Sequence, residues 1–289
     1  GELMPAFGVV DGVQNGTVEV AHTAPYYFFG KDETFGIGCA IPFGLNSRQM
    51  AGWMYHGNGM KLMREFYANY NMVNFPAGNT GAQMGGWFRN EVNSIEDLQG
   101  IKFRIPGLGG EVMNRLGATV QVVAGGEIFQ ALQTGAIDAA EWVGPYDDEI
   151  LGLNKVAQYY YFPGWWEPGA TLEVEINLDE WNNLPVEYQE IIRSAAYEAN
   201  LTMLSRYESR NGDALQRLID SGTELRQYSE DILNAGYEAA MGMYDEFAAA
   251  DADFAAIYEQ WNAFRANVSG WAQLNEFAFN QYMKSRAGS

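Results

Sequence analysis

Two short apolar runs each end by delivering a charged residue. Gly100-Ile101-Lys102-Phe103-Arg104-Ile105-Pro106-Gly107 presents Arg104, and Gly135-Ala136-Ile137-Asp138-Ala139-Ala140-Glu141-Trp142 presents Glu141. Pro106 and Gly107 close the first run, so it reads as a strand of about six residues. A guanidinium is a planar, permanently charged fork whose donors match a carboxylate. Two readings are open: Arg104 receives an outside carboxylate, or it pairs with an internal acid and ties two elements together.

Other chemistries are poorly supplied. The chain carries no His/Cys metal cluster, nucleophile elbow or P-loop. Cys39 sits in an apolar run and reads as buried and inert, and His22 and His56 are too far apart for a triad. Gly107-Leu108-Gly109-Gly110-Glu111-Val112 misses a dinucleotide fingerprint, because Val112 stands at the third glycine position. Asp147, Asp148 and Glu149 read as a solvated first helical turn. Thr171 to Asn177 alternates strictly, placing Glu173, Glu175 and Asn177 on one strand face, either wet or lining a polar cleft. Gln83, in a glycine-rich stretch, is a ligand contact or a core amide. An enzyme would have to act on a carboxylate substrate through Glu141 or Glu173.

These groups need a scaffold. At 289 residues the chain can hold two lobes, and 47% apolar residues make it globular. A net charge of −20 argues against nucleic acid or an anionic membrane surface as partner. With one cysteine no internal disulfide forms, and no run approaches the roughly 18 apolar residues of a membrane span.

Val13 to His22 parallels Leu132 to Glu141: helix, glycine stop, acidic-apolar strand, then a Pro-Tyr loop at Pro25-Tyr26 and Pro145-Tyr146. A unit used twice predicts two similar α/β lobes, with His22 and Glu141 at equivalent strand ends, where open α/β sheets place ligands. Ala77 to Phe88 reads as a close backbone crossing between lobes, and Tyr159 to Gly169 as core or lobe interface, with a ligand wall as the less favoured role. Pro185 opens a helix to about Ile219, long enough to run across both lobes, with Tyr188, Ile191, Ile192, Ala195, Ala199 and Met203 at helical spacing. A return strand at Gly222–Tyr228 and helices at about Glu230–Ala248 and Asp253–Arg286 follow. The last exposes Trp261, Phe264, Trp271, Phe277, Phe279 and Tyr282, which favours docking onto a second body.

Four strings in this order carry a resemblance: Ala21-His22-Thr23-Ala24-Pro25-Tyr26-Tyr27, Gly81 to Phe88, Lys102 to Gly107, and Asp138 to Tyr146. From about Pro5 to Met283 the chain resembles the solute-binding receptors of tripartite ATP-independent periplasmic (TRAP) transporters, most closely the DctP/TakP-like branch that binds 2-oxo acids such as pyruvate.

The resemblance implies an α/β, two-lobed periplasmic-binding-protein-like fold of the class II type. Lobe I is expected from 1–81 plus 170–209, lobe II from 82–169 plus about 210–250, and a C-terminal, dimerising helix from 251–289. No signal peptide opens the chain, and the family's first strand–helix–strand lies before Gly1, so an N-terminally truncated fragment is expected. The resemblance further implies a periplasmic receptor that performs no chemistry and delivers its solute to TRAP membrane subunits. Arg104 matches the carboxylate clamp. Gln83, Glu141, Trp142 and Glu173 match positions near the ligand and a cation, expected to be sodium, with lactate or another acid and calcium as the alternative. Tyr26 and Tyr27 are expected to wall the pocket. Glu173 and Glu175 share a face, so the choice between them stays open.

Overall fold

The computed structural model describes residues 1–286, and its strands fall into two separate sheets. In chain order the elements are α1 (Val9–Gln14), β1 (Val20–Thr23), α2 (Phe35–Cys39), α3 (Ser47–His56), α4 (Gly59–Ala68), β2 (Met72–Asn79), β3 (Trp87–Phe88), β4 (Lys102–Arg104), α5 (Gly107–Arg115), β5 (Thr119–Gln121), α6 (Gly125–Thr134), β6 (Ala139–Ala140), α7 (Pro145–Leu151), β7 (Tyr159–Phe162) and β8 (Thr171–Asn177). They continue as α8 (Leu178–Asn183), α9 (Val186–Asp220), β9 (Glu224–Gln227), α10 (Glu230–Ala250), α11 (Ala252–Ala272) and α12 (Ala278–Arg286). The fold is α/β and two-lobed. One lobe holds the sheet β1-β8-β2, with β8 antiparallel to both neighbours; the other holds β5-β4-β6-β3-β7-β9.

The repeated unit is present in outline. α1 and α6 each end near a left-handed glycine, Gly16 at φ 76° and Gly135 at φ 75°. Such a stop is natural for glycine, which lacks a Cβ. The units diverge at their strand ends. His22 is exposed in β1, its Nε2 3.3 Å from the Ala77 carbonyl, whereas Glu141 is fully buried.

The glycine-rich crossing runs directly against a second one. Thr80 donates to Ala170 (3.0 Å), Gln83 to Glu167 (3.1 Å) and Gly164 to Gln83 (3.2 Å), all through main-chain groups. A Cβ on Gly164 would lie 2.4 Å from the Gln83 carbonyl oxygen, so only glycine permits the approach.

α9 is the third link. Its 35 residues extend about 50 Å at 1.5 Å per residue. Its first half lies on β2, and its second half holds the other lobe through Tyr207 to Asp147 (2.6 Å) and Asn211 to the Tyr146 amide (3.1 Å). The apolar stripe expected along it is only partly covered. Tyr188 and Ile191 are exposed, while Ile192 and Ala196, on the adjacent face, pack on the sheet. A cavity of about 430 Å³, lined by Val20, His22, Val174, Ile192 and Ala199, remains between β1 and α9.

At the C-terminus the expectation of exposed rings needs one correction. Phe254, Ile257 and Trp261 are buried on the protein's own body, with Trp261 against Gly44. The later residues Trp271, Leu274, Phe277, Phe279 and Tyr282 are exposed.

The acidic face of β8 is neither wet nor part of a cleft. Glu173 and Glu175 are fully buried. Glu173 accepts from Tyr67 (2.6 Å) and Asn74 (2.8 Å), and the same tyrosine reaches Glu175 at 3.4 Å. Burial, opposed by these hydrogen bonds, raises Glu173 to about 7 from an ordinary 4.5, and burial and the neighbouring Glu173 push Glu175 well up. The folded chain thus keeps protons that the unfolded chain releases. The stability these groups contribute is full below about pH 4.5 and is lost as pH rises toward 7. Glu175→Gln should therefore raise the melting temperature at pH 7.5, by about 1 kcal/mol or more of stability, and change little at pH 4.5. Thermal melts at the two pH values check this; an equal shift at both would contradict it.

Candidate functional site

Arg104 ends β4 and Glu141 follows β6, its parallel neighbour, so both leave the carboxyl ends of adjacent strands. The Glu141 amide bonds the Arg104 carbonyl (3.1 Å), which fixes their register. The guanidinium is only 1% exposed. Its Nε donates to the Val123 carbonyl (3.0 Å), and one terminal nitrogen donates to the Glu141 carbonyl (3.0 Å) and also to the Glu141 carboxylate. The other terminal nitrogen donates to the Tyr27 hydroxyl at 3.1 Å. Tyr27 belongs to the turn after β1, so this bond joins the lobes. The Trp142 ring lies 5.2 Å from the guanidinium carbon and covers it.

Tyr26, beside Tyr27, is buried, and α5 begins against it: a Cβ on Gly107 would lie 2.8 Å from the Tyr26 Cβ. Burial, and after it the charge of Glu167, push the Tyr26 hydroxyl and the Cys39 thiol up, which keeps both neutral.

Glu167 was not among the sequence candidates. It is buried in the second crossing segment. Burial first and the Glu141 charge second push its carboxyl well above the ordinary range, with Arg104 and a hydrogen bond to Gln83 opposing them. Burial likewise lifts Glu141 to about 7 against the pull of Arg104.

Three buried oxygens here have no hydrogen-bond partner: Gln83 Oε1, Glu141 Oε2 and Glu167 Oε2. Gln83 spends its amide nitrogen on Thr80 Oγ1 (3.1 Å). Unsatisfied buried acceptors are costly, and oxygens of this kind are what a hard cation takes as ligands. The donor set therefore fits an ion such as sodium or calcium. It has no soft sulfur or imidazole ligand that would favour a transition metal.

The structure thus brings together Arg104, Glu141, Trp142, Tyr26, Tyr27 and Gln83. Glu173 is placed elsewhere: its carboxylate is held by Tyr67 and Asn74, within the three-stranded lobe. Asp148 also departs from expectation, being buried rather than solvated. It accepts from Trp87 Nε1 (2.9 Å), Tyr160 OH (2.7 Å) and the Val143 amide (3.2 Å), and burial lifts its carboxyl to about 6. It anchors the loop that carries Glu141 and Trp142. The other two acids of the trio bond to α9, Asp147 through Tyr207 and Glu149 through Arg217.

Two lobes linked by crossing segments, with a buried cationic clamp at their junction, define a ligand-binding receptor of the two-lobed class. Residues 1–251 match the model of the bacterial extracellular solute-binding protein family 7 (DctP), and the chain belongs to that family. A "monocarboxylate 2-oxoacid-binding periplasmic protein" of Nostoc sp. is 55% identical over 285 residues, 99% of this chain and 78% of that protein. A TRAP solute-binding protein of Bordetella bronchiseptica, described as a dimer with calcium and picolinate in one active site, superposes with TM-score 0.98 at 41% identity, covering 100% of this chain and 86% of that one. A TRAP receptor of Pseudoalteromonas atlantica with bound sodium and pyruvate gives 0.92 at 37% identity, covering 95% and 84%. No helix among the described residues is long and apolar enough to cross a membrane.

Asp148→Asn should leave the fold in place but loosen the Glu141–Trp142 loop. Faster amide exchange at 141–146 with an unchanged rate in the sheet β1-β8-β2 is the expected result; unchanged exchange at 141–146 would remove the anchoring role.

Proposed function

We propose that this chain is an extracytoplasmic receptor that takes up a small 2-oxo monocarboxylate of pyruvate type together with a cation. The observation that carries this reading is the meeting of one buried guanidinium with three unpartnered oxygens. The terminal nitrogens of Arg104 hold the solute carboxylate, with the Tyr27 hydroxyl beside them and Tyr26 and Trp142 as walls. Gln83, Glu141 and Glu167 hold the ion. The Trp142 ring is laid on Arg104, so only its main-chain carbonyl serves as a further ligand. Glu173 has no part in this set, because Tyr67 and Asn74 already engage it.

A 2-oxo acid offers one carboxylate and one keto oxygen that can chelate a hard cation. The formal charges explain the need for it. Glu141 and Glu167 contribute −2 and Arg104 +1, so the site stands at −1 and a monocarboxylate would bring it to −2. A bound cation reverses the local field. Sodium leaves −1, which the raised Glu167 can neutralise by keeping a proton, whereas calcium leaves zero. The similarity to a sodium–pyruvate receptor supports the first, and that to a calcium–picolinate receptor the second.

The lobes close on the solute by hinge motion, and the receptor passes it unchanged to TRAP membrane subunits in the periplasm. Binding and release, not catalysis, are the function in this reading. The exposed rings Trp271, Phe277, Phe279 and Tyr282, from the end of α11 into α12, pack on a second copy, in line with the dimer named for the Bordetella relative.

Calorimetry with pyruvate, with and without sodium or calcium, tests the site. Arg104→Ala should weaken binding about 100-fold or more, since a paired buried charge is lost. Glu167→Gln should weaken or abolish the cation dependence, and Glu173→Gln should change neither. Equal pyruvate affinity in wild type and Arg104→Ala would overturn the clamp. Calcium-dependent binding of a 2-hydroxy acid in preference to pyruvate would select the alternative solute. For the dimer, Phe279→Glu combined with Trp271→Glu should give a monomer in sedimentation.

A further inference from the structure

A second cationic group lies outside this site and has no ion-pair partner among the described residues. Arg64, on α4, is half-buried at the edge of β2, the outer strand of its sheet. Its guanidinium stacks on Phe75 with 4.7 Å between guanidinium carbon and ring centroid. Its Nε is buried without a hydrogen-bond partner. Among the described residues no carboxylate lies within ion-pair distance of it. The nearby acids are already engaged, Glu65 with Lys61 at 3.9 Å, Glu190 with Arg193 at 2.5 Å, and Glu173, whose charge acts on Arg64, with Tyr67 and Asn74. In a chain of net charge −20, an unpaired guanidinium flanked by Arg193, Lys61 and His56 is a local reversal of sign.

Two cavities meet at Arg64. One, of about 670 Å³, is walled by Met54, Tyr55 and Met60; the other, of about 110 Å³, lies between Phe75 and Tyr197. Tyr55, Met60 and Arg64 line both. Tyr55 and Tyr197 pack at 4.5 Å between centroids, their planes tilted by 36°, and form an aromatic rim. A buried donor without an acceptor calls for one, and a planar fork is satisfied best by a carboxylate. Thioether and aromatic walls call for an apolar body on the same molecule.

We propose that Arg64 is the anchor of a second ligand site, on the outer edge of the three-stranded lobe, for a small carboxylate with an aromatic or branched apolar body. Arg64 receives the carboxylate, Arg193 adds positive potential, and the body lies between Tyr55, Met60 and Tyr197. The site is independent of Arg104 and of the cation.

Benzoate is the probe, titrated by calorimetry into the full chain. Binding is expected in the range of about 1 mM, the affinity of a small fragment held by one charged contact. Arg64→Met should weaken it at least tenfold and Arg193→Gln several-fold, while Arg104→Ala should bind benzoate as wild type does. The wild-type and Arg193→Gln titrations decide the matter even where Arg64→Met folds poorly. No benzoate binding by wild type up to tens of millimolar would overturn the proposal, as would binding unchanged in a folded Arg64→Met or binding lost with Arg104.

Discussion

The buried contact between Arg104 and Glu141 is the constraint around which the rest is arranged. A guanidinium cannot shed its proton, so burying it obliges the fold to surround it with acceptors. The chain meets this with Val123, Glu141 and Tyr27, contributed by three different segments. The strand ends, the loop braced by Asp148 and the turn of the opposite lobe are all positioned by the same cation. Removing one member of such a pair leaves a charge uncompensated, which typically costs 3–5 kcal/mol, far more than the pair contributes to stability in itself.

Around that cation the local chemistry is deliberately incomplete. Four of the five Arg104 N–H groups are bonded, while Gln83, Glu141 and Glu167 each keep one oxygen without a partner. A core built for stability alone would have satisfied these groups. The strain falls on the carboxyls, both raised by burial. Glu173 on β8 shows the contrast, although its neighbour Glu175 also keeps an oxygen without a partner. Glu173 is raised too, but Tyr67 and Asn74 bond to it, so it reads as an internal polar contact.

Much of this was legible in the sequence because it follows from local rules. The Pro106-Gly107 stop placed Arg104 at a strand end, the recurring helix–glycine–strand unit announced two lobes, and Pro185 marked the start of the long helix. What escaped was decided by tertiary burial. Strict alternation in β8 correctly put Glu173 and Glu175 on one face, but periodicity does not say which face the other elements cover. Asp148 followed a rule for helix starts that holds only in solvent, and Trp87 and Tyr160 exclude solvent there. Glu167 was hidden inside a run of tyrosines and tryptophans whose apolar character dominates any reading by composition. One signal could have found it: an acid set between Trp166 and Pro168, at the end of a crossing segment, has to be neutralised or used.

The main-chain pairing of residues 80–86 with 161–170 restricts how the molecule can open. Two unlinked tethers would let the halves slide, twist or bend independently. Stitched edge to edge, with no room even for a methyl group at Gly164, they behave as a single ribbon, stiff against shear and compliant only in folding about its short axis. Because the Gln83 amide is bonded to the Glu167 carbonyl within that ribbon, the two side chains travel together when it bends.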